Sequence, residues 1–291
     1  MFSGAFTALI TPLKNDAVDA LSLEKQIHAQ AKAGITGIVP VGTTGESPTL
    51  SHSEHRRVIE LAVGIAREGG LKVIAGTGSN STAEAIELTE HARVSGADAA
   101  LMVNPYYNKP TQEGLFRHFS VVAHRVNIPI VLYNIPGRTG VTMSVPTMVR
   151  LTKACKNIVA VKDAAGNLDL TSEAVGAGVC VLSGDDSLTL PMMAVGAQGV
   201  VSVASNIVPE LVVALVKHAA AGDFSAARAI HHKLFALSRA LFLETNPIPI
   251  KAAMKMLGLD SGELRLPLCE LSEPFLPVLR AALVAAGLTV R

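Results

Sequence analysis

Short runs of apolar, β-branched residues recur along the chain at intervals of roughly 20–35 residues, each bounded by glycine, proline or a polar turn. They cover residues 5–10, 37–41, 72–75, 99–103, 129–133, 158–162, 179–183 and 199–203, and each reads as a buried strand. The segments between most of them carry helical periodicity. Leu21, Ile27 and Ala31 share one face; Val58, Leu61, Ala62 and Ile65 share another; Ala85, Ile86, Thr89 and Ala92 share a third. Ser51 with Glu54, and Ser81 with Glu84, have the form of capping boxes at helix starts. Gly34, Gly96 and Gly178 fall where the chain leaves a helix and needs a left-handed residue.

Strand and helix alternating in this way predict an α/β protein with a parallel sheet. Eight units is the count that closes a (β/α)8 barrel, the TIM-barrel architecture, with an open doubly wound sheet as the rival arrangement. After residue 206 no further strand pattern occurs. Residues 211–221, 226–242, 249–257 and 272–286 read as helices, punctuated by Gly222-Asp223, Gly258, Pro267 and Pro274. The expected organisation is a barrel over 1–224 and a C-terminal helical appendix over 225–291, with no low-complexity linker between them.

Composition supports a large core. Of the 291 residues, 49% are hydrophobic, and charged residues make up only 17%, below the usual quarter. A net charge of +1 without a basic run argues against a nucleic-acid surface. Cys155, Cys180 and Cys269 are widely spaced, form no metal-binding pattern and are odd in number, so reduced thiols are expected. No secretory signal is visible at the N-terminus, and no apolar run reaches the roughly twenty residues that span a bilayer. The expectation is a soluble, cytoplasmic chain without nucleic-acid or membrane partners.

Residues of chemical potential gather just after the strand ends, the side of such a barrel on which active sites are built. They are Gly42-Thr43-Thr44-Gly45-Glu46-Ser47, Asn104-Pro105-Tyr106-Tyr107-Asn108, Tyr133 to Gly140, Lys162, Ser183-Gly184-Asp185-Asp186 and Val203 to Asn206. All three tyrosines of the chain, Tyr106, Tyr107 and Tyr133, belong to this set. Lys162 closes a buried strand. An ammonium there is costly unless it is paired with Asp163, snorkels to water or loses its proton, and a neutral amine in a dry pocket is a nucleophile for carbonyl carbon. A neighbouring phenol can relay protons for imine formation. The Gly42–Ser47 loop lacks the Gly-Lys-Ser/Thr ending of a P-loop, and its hydroxyls and N–H groups suit a carboxylate. The segment from Gly76 to Ser81 lacks the third glycine of a dinucleotide fingerprint. Arg138 reads either as an exposed arginine or as a clamp for a substrate carboxylate. The nine histidines assemble no metal site by spacing, so no metal is expected.

Four of these motifs, in register, resemble the dihydrodipicolinate synthase family of the N-acetylneuraminate lyase superfamily of pyruvate aldolases. They are Gly42 to Ser47, Asn104 to Pro110, Tyr133 to Gly140 and Val161-Lys162-Asp163-Ala164, and the likeness extends through Asn246 to Lys251. The resemblance implies that pyruvate forms an imine with Lys162 and then condenses with aspartate semialdehyde, without a cofactor, on the diaminopimelate route to lysine. It implies that Tyr133 donates and accepts protons, with Thr43 and with Tyr107 reaching in from a neighbouring subunit of a homotetramer. Thr44 would hold the pyruvate carboxylate, Val203 and Gly184 would line the pocket, and Arg138 would hold the semialdehyde carboxylate. Ser47, His52, His55, Asn80, Glu84 and Tyr106 resemble the family's inhibitory lysine site, though they also fit ordinary surface and interface polar positions. Two departures stand out: Asp163 where many relatives carry Glu, and Pro48 where a small residue is commoner in lysine-sensitive members. The alternative within the superfamily is a lyase or aldolase of N-acetylneuraminate or of keto-deoxy sugar acids. A barrel that only senses an amino acid is the reading outside it.

Overall fold

The computed structural model describes residues 2–291. Eight parallel strands close into a barrel: β1 Gly4–Ala8, β2 Gly37–Val39, β3 Lys72–Gly76, β4 Ala99–Val103, β5 Ile130–Asn134, β6 Ile158–Asp163, β7 Val181–Ser183 and β8 Gly199–Ser202. Each strand pairs with its sequence neighbours, and β1 pairs with β8 to complete the ring. The open-sheet alternative is thereby ruled out. The strands are buried almost throughout, as expected when one face looks into a packed barrel and the other lies under helices.

The helical layer consists of α1 Ala20–Lys32, α2 His52–Glu68, α3 Thr82–Ser95, α4 Gln112–Arg125, α5 Val145–Ala154, α6 Leu168–Gly176, α7 Thr189–Ala194 and α8 Pro209–Ala220. Their apolar faces supply fully buried side chains such as Leu23, Ile59 and Phe119, each worth about 1.5–3 kcal/mol of burial. The Ser51–Glu54 capping box of α2 is complete in both directions. At α3 only half of the expected box forms. Ser81 Oγ accepts from the Glu84 N–H, but the Glu84 carboxylate turns away to Ser79 Oγ and lies 3.2 Å from His52 Nε2. Gly34, Gly96 and Gly178 occupy the left-handed region, with φ of +78°, +86° and +84°.

Three helices follow the barrel: α9 Phe224–Ala240, α10 Ile248–Leu257 and α11 Leu276–Ala285. α9 packs on α8 and α11, and their apolar residues join the core that fills the barrel. A hairpin of Leu13–Lys14 with Ala17–Val18 has no counterpart in the sequence pattern. Two-residue strands are too short to show a period.

Candidate active site

Lys162 on β6 stands opposite Tyr133 on β5, and Asp163 stands opposite Asn134. Successive residues of a strand face opposite ways, so this register separates the two charged neighbours. Asp163 turns to the helical side, where it accepts from Asn134 Nδ2 at 2.9 Å and Thr171 Oγ1 at 3.4 Å. It forms no ion pair with Lys162. Lys162 is only 6% exposed, and its Nζ lies 3.9 Å from the centroid of the Tyr133 ring. Snorkelling to water is therefore excluded as well. Burial pulls the Lys162 amine down to about 7; the Asp186 carboxylate opposes this and the Arg138 guanidinium adds to it. Burial pushes the Tyr133 phenol up to about 12, against the influence of Arg138 and of a hydrogen bond with the Thr43 hydroxyl. At neutral pH the site therefore holds a partly neutral amine beside a fully protonated phenol.

Gly184 makes room for the lysine. A Cβ there would lie 2.8 Å from Ala164 Cβ and 3.1 Å from Lys162 Cε. The loop after β2 brings Thr43 and Thr44 to the same mouth. It cannot accept a side chain at Gly45, whose added Cβ would stand 2.8 Å from the Val41 nitrogen, and Thr11 Oγ1 donates to the Gly45 carbonyl at 2.7 Å. Thr44 Oγ1 accepts from Asn246 Nδ2 at 3.0 Å, which leaves its O–H free to donate. Arg138, in the single helical turn Pro136–Thr139, donates from Nη2 to the Asn246 carbonyl at 2.9 Å. Val203 follows β8, and its N–H donates to Asp186 Oδ2 at 2.8 Å, beside the Ala204 N–H at 3.0 Å.

Asp186 and Asn246 stand within segments the sequence singles out, but the sequence assigns neither a task of its own. Asp186 lay in a polar segment without a distinguishing neighbour, and its buried carboxylate, pushed up by desolvation, is visible only once Ser202, Val203 and Ala204 fold over it. Asn246 lies 202 residues from its partner Thr44.

A cavity of about 440 Å³ is lined by Thr43, Tyr133 and Arg138 together with Ser47, His52, His55, Glu84 and Tyr106. Asn80 flanks it, donating from Nδ2 to the Tyr106 carbonyl at 3.2 Å. His55 is buried and pulled down to about 4, so its imidazole is neutral at pH 7. Burial raises the Tyr106 phenol. Tyr107 stands apart: it is 91% exposed with φ +71° and does not enter its own chain's cavity. Among the described residues, no group of three or more His, Cys, Asp or Glu side chains is placed to hold a metal ion, and no helix is long and apolar enough to cross a membrane.

A buried, part-neutral lysine against a phenol at the mouth of a (β/α)8 barrel is the equipment of an imine-forming, class I aldolase. Comparison with known proteins narrows the class. Residues 1–286 match the Dihydrodipicolinate synthetase family. The chain is 54% identical over 289 residues to the 4-hydroxy-tetrahydrodipicolinate synthase of Methanocaldococcus jannaschii, covering 99% of this chain and 100% of that one. It superposes on the dihydrodipicolinate synthase of Aquifex aeolicus with a TM-score of 0.97 at 52% identity, covering 100% of both chains. Similar scores relate it to the Cyanidioschyzon merolae enzyme with lysine bound (0.96, 41% identity, 99% of each chain). The Acinetobacter baumannii enzyme complexed with pyruvate scores 0.95 at 45% identity, with 99% of this chain and 100% of that one covered. The chain belongs to the dihydrodipicolinate synthetase family, and it is a lyase of the class I aldolase type.

Proposed function

We propose that Lys162 is the imine-forming nucleophile of a 4-hydroxy-tetrahydrodipicolinate synthase, which condenses pyruvate with L-aspartate 4-semialdehyde. One observation carries this assignment: a buried amine near neutrality, 3.9 Å from the ring of a phenol that stays protonated. The neutral Nζ adds to C2 of pyruvate. Tyr133 donates a proton to the departing oxygen, and one water leaves as the imine forms. The imine cation draws electrons from C3, the Tyr133 phenolate takes a methyl proton, and the resulting enamine attacks the aldehyde carbon of the semialdehyde, whose oxygen receives that proton back from Tyr133. The semialdehyde amine then adds to the imine carbon, closes the ring and releases Lys162. The cation on Lys162 is itself the electron sink, so the reaction calls on no added cofactor.

In this reading Thr43 passes protons to and from Tyr133, and Tyr107 serves the site of a neighbouring subunit in a homotetramer, which suits its outward position. Thr44 donates its free O–H to the pyruvate carboxylate, with Gly184 and the main chain at Val203 lining the pocket. Arg138 offers its remaining donors to the semialdehyde carboxylate. Residues 1–224 form the catalytic barrel and 225–291 the helical part, and the reaction belongs in the cytoplasm. Lysine would bind Ser47, His52, His55, Glu84 and Tyr106, which line the cavity, and Asn80, which is bonded to Tyr106, with the Glu84 carboxylate taking the ammonium; a lysine-bound relative supports this. Activity unchanged at millimolar lysine would remove that part.

An Arg138 clamp favours a short substrate with its own carboxylate over a sugar acid, which needs hydroxyl-binding side chains. The deciding experiment is a coupled assay with pyruvate and aspartate semialdehyde beside one with N-acetylneuraminate, with Lys162→Ala as the control. Turnover of N-acetylneuraminate alone would transfer the assignment to the sugar-acid branch.

A further inference from the structure

The segment from Asn246 to Lys251 reaches the catalytic mouth from the C-terminal helices. Asn246 holds Thr44 through its side chain and Arg138 through its carbonyl. Five residues on, Lys251 of α10 forms an ion pair with Glu46, and both side chains are wholly buried. Lys251 Nζ also donates to the Glu263 carbonyl at 2.7 Å. Glu46 Oε2 accepts from the Arg265 N–H at 3.3 Å and from Thr49 Oγ1 at 3.4 Å.

Two further features bear on why such a pair is there. A buried ion pair is a poor source of stability, because desolvating both charges offsets most of their attraction and apolar side chains of similar volume would serve as well. What it supplies is a fixed geometry. Glu46 also sits at φ +54°, a left-handed conformation that a residue with a Cβ adopts only when its surroundings enforce it. Its N–H donates to the Thr43 carbonyl at 3.1 Å, and the next N–H, of Ser47, donates to the Gly42 carbonyl at 3.2 Å. The backbone of the hydroxyl-bearing loop is thus tied directly to the residue that Lys251 grips.

We propose that Glu46 and Lys251 are positioning residues: their buried ion pair clamps the Gly42–Ser47 loop to α10 and so sets where Thr43 and Thr44 stand relative to Lys162 and Tyr133. This inference rests on the roles given above to Thr43 and Thr44. Neither Glu46 nor Lys251 touches substrate; both act through the loop.

The test compares three variants with the native enzyme: Glu46→Asp, Lys251→Met and the double Glu46→Gln/Lys251→Met. Three quantities are read: the melting temperature, the pyruvate concentration giving half-maximal borohydride trapping of Lys162, and the turnover number. Lys251→Met strands a buried carboxylate and is expected to melt at lower temperature. The double variant has no unpaired charge and is expected to recover its melting temperature. It should still need at least about ten-fold more pyruvate and turn over about ten-fold more slowly, since a displacement of about 1 Å can cost about 10²-fold. Glu46→Asp keeps the charge but shortens the reach by one methylene, and the same kinetic loss is expected in a folded protein. Native kinetics, within about two-fold, in either folded variant would overturn the inference and leave the pair a stability element only. Thr44→Val separates this from the reading beneath it. If Thr44→Val leaves the pyruvate requirement unchanged, the carboxylate role of Thr44 falls, and the turnover of Glu46→Asp and of the double variant still decides whether the pair sets the position of Thr43.

Discussion

The buried amine of Lys162 makes a quantitative prediction about pH. Burial, partly opposed by Asp186, lowers it from 10.5 to about 7. At pH 7 about half of the amines are then neutral, against about three in ten thousand for an ordinary lysine, a gain of about 10³ in the reactive form. The assay is single-turnover trapping: pyruvate and borohydride are added over a pH series, and the mass increment on Lys162 is followed in time. The rate is expected to rise with a midpoint near 7 and to level off above it. Asp186→Asn removes the carboxylate that favours the charged amine and should move the midpoint to lower pH. A midpoint near 10 would refute the reasoning, because it would mean that the barrel mouth does not desolvate the amine. The same burial carries a cost in stability. A lysine whose folded value is depressed contributes full stability only above 10.5 and loses it as the pH falls toward 7. At pH 7 that loss is at most about 4 kcal/mol, so Lys162→Met should melt at higher temperature than the native protein there, with the difference shrinking as the pH approaches 10.5.

Other outcomes follow from the same geometry. Tyr133→Phe should still form the trapped pyruvate adduct slowly but lose about 10²–10⁴ in turnover, the usual range for a general acid–base group; native turnover would exclude the phenol from the relay. Arg265 grips Glu54 with bonds of 2.8 and 2.7 Å and holds that carboxyl down at about 2. This stabilisation is present above pH 4.5 and is lost as the pH falls toward 2. Arg265→Ala should therefore lower the melting temperature at pH 7, with the gap to the native protein closing through the acid range; a gap independent of pH would assign the effect to packing alone. Tyr107→Phe should lower turnover, and mixing it with Lys162→Ala protein should restore some of it through hybrid sites. No restoration would count against a shared site.

How far the sequence could be read varies from element to element. The eight barrel strands were legible because each is buried on both faces and so appears as a compact β-branched run. The hairpin at Leu13–Lys14 and Ala17–Val18 was not, because two residues carry no period. The end of the barrel at which Lys162, Tyr133 and Thr43 gather follows from their places after strands that all run one way. The partners that hold them do not follow in the same manner. Asn246 meets Thr44 across 202 residues, and Lys251 meets Glu46 across a comparable stretch, contacts that leave no local pattern.

The amino-acid sequence by itself determined the alternation of strands and helices, the count of eight such units, and which chemical groups follow the strand ends, while the pairing of the first strand with the last closed them into a barrel. Only the tertiary structure decided that Lys162 faces Tyr133 while Asp163 faces the helices, because register and side-chain direction depend on which residues pair across strands. It alone decided the state of the amine as well. Desolvation is a property of everything packed around a group, and no residue's neighbours along the chain reveal how much water the fold will leave it.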